Sequence, residues 1–260
     1  MVSQKSKKLV FAALMTALSF VFLLIGKFVL PTGVISFIPA APFLNYDPKD
    51  IIIVLAGFIL GPLYSLVISV IVSFFEMIFV SSTGPIGFVM NVISTCFFAC
   101  TASAIYKKIM NINKKNANND GKKVNSTVAA VVGLTAGVIA MTGAMVLWNY
   151  LITPLYQIPN LDSYDSETAK QMVAEMRKTV GGMLLTVFVP FNAIKAFINM
   201  AFTLILYKPV ISALKRAGLT DIIGNDKEGS LFKRPVVACA IGAFVLASCV
   251  LAILAIKNVI

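Results

Sequence analysis

Apolar residues in this chain come in long runs, not at the alternating spacing of strands or the one-face spacing of soluble helices. Seven stretches, roughly 9–30, 50–62, 63–80, 86–106, 127–154, 181–207 and 235–256, lack charge or nearly so. A run of 18 or more such residues, rising about 1.5 Å each, covers about 30 Å of hydrocarbon, so the pattern predicts transmembrane helices. The second stretch is short and is split from the third only by Gly61-Pro62, a turn signal, so the two can form a kinked pair in place of two full spans. Between spans, residues 107–126 are rich in Asn and Lys and read as a solvated, flexible loop. Residues 160–178 predict an amphipathic helix with Met172, Val173 and Met176 on one side, lying on the surface as a lid or brace.

Composition agrees. The 260 residues are 58% hydrophobic and 13% charged, with a mean hydropathy of +0.90, against about 25% charged in soluble domains. The formal charge of +11 changes the picture only through its distribution. With the N-terminus inside, 15 of the 22 basic residues fall on the cytoplasmic side, which is the positive-inside signature and not that of a nucleic-acid binder. The opposite side holds Lys49, Lys170, Arg177, Lys178 and Lys257, interleaved with acids such as Asp47 and Asp50. The expectation is a multi-pass protein of the cell membrane with a cytoplasmic N-terminus, a first helix that is retained and not cleaved as a signal, and, with seven spans, an external C-terminus.

The missing residues exclude chemistry. Without histidine there is no His-based acid/base catalysis, no usual triad and no HExxH metal site. No G-x-x-x-x-G-K-[ST] loop is present, so uphill movement of a solute would need a partner ATPase or an ion gradient. With no dense carboxylate cluster in the spans, the chain reads as a non-enzyme without metal or cofactor. Cys96, Cys100, Cys239 and Cys249 all lie within predicted spans, where they read as small packing residues and not as a disulfide framework.

Polar residues at membrane depth are costly, and so mark function. Lys195 is the clearest, with Asn192 at i−3 and Asn199 at i+4 on one helical face after Pro190. Its alternative role is a lysine that snorkels or pairs with Glu76, with the asparagines bonding between helices. Trp148-Asn149-Tyr150 places an amide between aromatics, suited to a planar heteroaromatic ligand or to an interfacial aromatic belt. Two loops expected outside can cap a pocket: residues 31–49, with Phe43, and residues 81–85, where Thr83 and Gly84 offer a hydroxyl and backbone N–H groups. Small-residue pairs Ala13/Ala17, Gly57/Gly61 and Gly133/Gly137 permit close helix approach. The first pair sits near the cytoplasmic end of its span, where an energy-supplying partner would dock.

On these residues the chain resembles the substrate-binding S-components of energy-coupling-factor (ECF) vitamin transporters, most closely the riboflavin type. The matching stretches are Ala13-Leu14-Met15-Thr16-Ala17, Pro42-Phe43-Leu44 through Asp50, Gly57 through Pro62, Ser82-Thr83-Gly84-Pro85-Ile86-Gly87, Trp148-Asn149-Tyr150 and Pro190-Phe191-Asn192-Ala193-Ile194-Lys195. The resemblance implies an all-α six-helix bundle over residues 1–208 that captures a vitamin from outside and associates with a transmembrane coupling protein and two ATPases. It implies that Asn149, Asn192 and Lys195 hold the isoalloxazine ring. Residues 209–260 depart from the pattern as a cytoplasmic linker and a seventh C-terminal transmembrane helix; residues from about 235 onward are expected to be dispensable for binding. Another vitamin, a phosphorylated flavin, an ion-driven secondary transporter and a structural scaffold stand as alternatives.

Overall fold

The computed structural model describes residues 3–30, 38, 44–81, 83–117, 124–216 and 235–259, and every regular element among them is helical. Helix α1 (Gln4–Phe28) starts on Ser3, whose hydroxyl accepts the N–H of Ser6. Phe11, Met15, Ser19, Leu23 and Gly26, at helical spacing, form its inward face. The end of the bundle where α1 begins is called proximal below, the opposite end distal.

Helix α2 (Lys49–Leu60) is buried at every residue but the last. It is enclosed by α1, α3 (Pro62–Phe79), the helical rod of residues 84–117 and the long helix of residues 189–216, which is why its sequence carries no polar face. Its 12 residues are too few to cross a bilayer. Gly61, at φ +111°, turns the chain, and Pro62 opens α3 from a first-turn position where its missing N–H costs nothing. Gly57 lets the turn close: a Cβ there would lie 2.0 Å from Ser65 Oγ and 2.9 Å from Ser103 Cβ. Residues 50–80 are thus the kinked pair, with Gly57 used for packing and Gly61 for the bend.

The fourth rod comprises α4 (Gly84–Thr95), a π turn (Cys96–Cys100) and α5 (Thr101–Ala117). Helix therefore extends well into the segment expected to be a flexible loop. The polar run is still a good helix former, and Asn113 fastens its end by donating from Nδ2 to Val124 O at 2.7 Å and accepting from Val124 N at 2.9 Å. Helix α6 (Ser126–Leu151), capped by Asn125, packs on this rod. Added Cβ atoms at Gly133 and Gly137 would stand 2.6 Å from Ala102 O and 2.7 Å from Phe98 O, so this small-residue pair does bring two backbones together.

After the short α7 (Thr153–Tyr156), α8 (Ser166–Met183) begins on Asp165, which accepts the N–H groups of Glu167 and Thr168. A second π turn (Leu184–Phe188) joins it to α9 (Val189–Arg216), giving a helical run of 51 residues. The expected amphipathic lid is therefore the distal extension of a spanning rod, with Met172, Val173 and Met176 half-buried. Helix α10 (Pro235–Val259) packs along α9.

Among the described residues five helical runs are long and apolar enough to cross a membrane: Gln4–Phe28, Pro62–Phe79, Gly84–Asn113, Ser126–Leu151 and Ser166–Arg216. A shorter apolar stretch, Ile241–Leu254, lies within α10.

Candidate functional site

The distal half of the bundle gathers six charged side chains: Lys49, Lys195, Asp47, Asp50 and Glu76 are buried, and Lys27, its side chain 29% exposed, stands at the edge. Lys49, only 1% exposed, is paired through its ammonium with both Asp47 and Glu76. Lys27 Nζ, on α1, stands 3.7 Å from Glu76 Oε1. Asp50 accepts from Thr95 Oγ1 at 2.6 Å and from Asn199 Nδ2 at 3.4 Å, while Asn199 Oδ1 accepts from Tyr46 Oη at 3.0 Å. A buried charge is costly unless it is paired and hydrogen-bonded; Lys49, between Asp47 and Glu76, and Asp50, bonded by Thr95 and Asn199, meet that requirement within the protein.

Two expectations change here. Asp47, Lys49 and Asp50 are not charges of an exposed loop: Pro48 starts α2 directly and draws them into the bundle, with Pro48 packed against Gly26 of α1. Glu76 pairs with Lys49 and Lys27, not with Lys195, because α2 stands beside α3 and presents its lysine first. Asn199, on the same face as Lys195, ties Tyr46 to Asp50.

Asn192, Lys195 and Asn199 are all buried on α9, as their spacing predicts. The Lys195 ammonium is near enough to Asp47 and Asp50 to balance their charge, but among the described residues it makes no ion pair and no hydrogen bond. Asn192 donates from Nδ2 to Phe188 O at 2.8 Å, across the end of the π turn, which leaves its carbonyl oxygen for another partner. Such turns widen a helix by one residue and recur at functional sites. The other π turn begins immediately after Thr95, the Asp50 partner. Both helical irregularities thus flank the polar cluster.

Asn149 is buried near the distal end of α6, which packs beside α9. Its amide donates to Met145 O at 2.6 Å and its carbonyl accepts from Thr153 Oγ1 at 2.9 Å, leaving one N–H and one lone pair. Trp148 is half-buried against the main core, and its Nε1–H is buried with no acceptor among the described residues. Thr83, by contrast, is exposed; its hydroxyl is 3.1 Å from that of Ser81, and it touches none of these groups. Gly84 holds φ +56°, the left-handed conformation that lets the turn enter α4. Phe43 lies outside the described residues. Ala13 and Ala17 are exposed on α1 among outward Leu9, Val10, Leu14 and Leu18.

The residues missed by sequence reasoning, Lys27, Tyr46, Asp47, Lys49, Asp50, Glu76 and Thr95, had one legible signal. The charges of Asp47-Pro48-Lys49-Asp50 abut an apolar run with no polar face, and Glu76 is a lone acid inside an apolar span.

A family model described as ECF transporter, substrate-specific component, matches residues 7–207. The riboflavin transporter RibU of Staphylococcus aureus (strain TCH60) is 28% identical over 215 residues, covering 82% of this chain and 95% of that protein. The riboflavin transporter FmnP of Bacillus subtilis (strain 168) is 29% identical over 213 residues, covering 78% and 92%. A solved structure described as "Structure and mechanism of the S component of a bacterial ECF transporter" aligns with a TM-score of 0.54 at 25% identity, over 81% of this chain and 99% of that one.

Proposed function

Since the chain belongs to the family of ECF transporter substrate-specific components, and is thus a multi-pass membrane transporter component, we propose that it captures riboflavin from outside the cell for ATP-driven uptake. The observation that carries this reading is the Lys195 ammonium, buried beside Asp47 and Asp50 yet without a direct partner among the described residues, on the same stripe as an Asn192 carbonyl that is also open among them. A flat ring with carbonyl and nitrogen acceptors on one edge and a donor N–H beside them fits that set: Lys195 and the spare Asn149 N–H donate, and Asn192 accepts. Trp148 supplies an aromatic wall. Two relatives named as riboflavin transporters support the same ligand class.

In this reading residues 1–208 form the binding bundle, with the N-terminus cytoplasmic and Thr83 and Gly84 at the distal, outward mouth. Ala13 and Ala17 leave a shallow place in the outward stripe of α1 where a transmembrane coupling protein, carried with two ATPases, can approach closely. The protein itself needs no cofactor and performs no catalysis; riboflavin is cargo.

Trp148 is the only tryptophan, which makes the test direct. Titrating riboflavin into detergent-solubilised protein should quench nearly all indole emission, and thiamine or biotin should not. A riboflavin titration that leaves the emission unchanged, with no flavin co-purifying after growth in rich medium, would refute the proposal.

A further inference from the structure

The matched family region ends at residue 207, so α10 lies beyond it and would be a dispensable appendage if the site were complete without it. The packing argues otherwise. Helix α10 runs antiparallel to α9, and Gly242 brings the two backbones together: a Cβ there would meet Ile205 Cγ1 at 2.8 Å and Ala201 O at 2.9 Å. Towards the distal end, Val245, Cys249, Ala252 and Ile253 join one apolar cluster with Val187, Phe191 and Ile194 of the α9 rod and with Leu44 and Tyr46 of the segment before α2. Phe191, Ile194, Ile198, Ala201 and Ile205 occupy a face of α9 roughly a third of a turn from the Asn192, Lys195 and Asn199 stripe.

One flank of the site-bearing helix, its π turn and Tyr46 are therefore held by α10. Tyr46 in turn donates to Asn199, and Asn199 to Asp50. We propose that α10 is a positioning element of the binding site: it clamps Tyr46 and the Phe191–Ile194 flank, sets the attitude of Asn192, Lys195 and Asn199, and so slows ligand release. This rests on the riboflavin reading above. The outward residues of α10, Phe244, Leu251 and Leu254, take no part.

The test uses the full chain. Gly242→Leu drives a side chain into the α9 backbone, so stopped-flow flavin release should quicken by about tenfold while association changes little. Tyr46→Phe should quicken release too, and its effect should largely vanish in the Gly242→Leu background, because both act through the same contact. Cys249→Ala, a milder change, should move release in the same direction, and Phe244→Ala should not move it. Hydrogen exchange without ligand should rise at Tyr46 and across residues 184–195 in Gly242→Leu. Unchanged release and unchanged exchange in both Gly242→Leu and Cys249→Ala would overturn the inference, as would independent, multiplying effects of Gly242→Leu and Tyr46→Phe. A parent protein that binds no flavin would sink the riboflavin reading instead, and the exchange measurement would still decide for or against the brace.

Discussion

At the proximal end, Phe58 stacks on Tyr106 with ring centroids 4.5 Å apart, and Tyr207 meets Phe58 edge-on at 5.7 Å. The hydroxyls of Tyr106 and Tyr207 share a 2.8 Å hydrogen bond, and Lys107 Nζ donates to Ile59 O, at the end of α2, at 3.0 Å. Every polar atom named there is used, and the aromatic rings fill the space between α2, α5 and α9. The distal end buries charged groups instead and holds one of them, Lys195, close to acids without a direct contact among the described residues. The same fold therefore seals one end with hydrogen bonds that close on themselves, and on the proposed reading keeps the other ready for a solute whose acceptors complete the set. The proposed binding at the distal end and the closure at the proximal end should be separable, because no residue named for one end belongs to the other.

Separability can be attacked directly. The largest effect is expected from Lys49→Met, which leaves Asp47 and Glu76 facing each other without the cation between them. Breaking a buried pair in this way costs about 3 to 5 kcal/mol, so thermal unfolding in detergent should fall steeply; an unchanged midpoint would show that the distal charges are solvated after all. Next is Gly133→Leu, on the seam where α6 meets Ala102 O and Tyr106 N. Overpacking there should cost about 1 to 3 kcal/mol of stability and loosen the proximal plug, read as faster exchange at Tyr106 with riboflavin affinity nearly kept. Lys195→Met reverses that pattern: riboflavin should bind roughly 5- to 150-fold more weakly, the equivalent of about 1 to 3 kcal/mol, with a smaller loss of stability than Lys49→Met. If the two lysine variants proved equally unstable, Lys195 would be a structural member of the ion cluster and not its open position. The smallest change should come from Tyr207→Phe, about 1 kcal/mol of stability and no shift in the riboflavin titration.

The spans were legible because hydropathy over 18 or more residues reports the bilayer whatever the packing partner. The stripe of Asn192, Lys195 and Asn199 was legible because a helix fixes which residues share a face. Lys49 was not. Counting charges by side of the membrane assigns every lysine outside a long apolar run to water, and nothing local to Asp47-Pro48-Lys49-Asp50 says that Glu76, 27 residues on from Lys49, will be waiting. The helix through Asn113 was not legible for a related reason, since Asn113 is held by Val124, a residue outside the polar run's own helix. Gly133 and Gly137 were recognised as small, but only the coordinates say that the backbone they admit is that of Ala102 and Phe98.

The π turn at Leu184–Phe188 also governs how such chains should be compared. It accommodates one more residue than an α turn, so a wheel drawn backwards from Lys195 through an unbroken α-helix puts everything before Leu184 about 100° out of phase. Arg177, which lies over the ring of Tyr150 at 5.9 Å, would be assigned to the wrong side. Two homologues differing by a single-residue gap here can therefore share the same ligand stripe below the turn and present different faces of the rod above it. An alignment that slides the gap to a convenient loop would hide that difference.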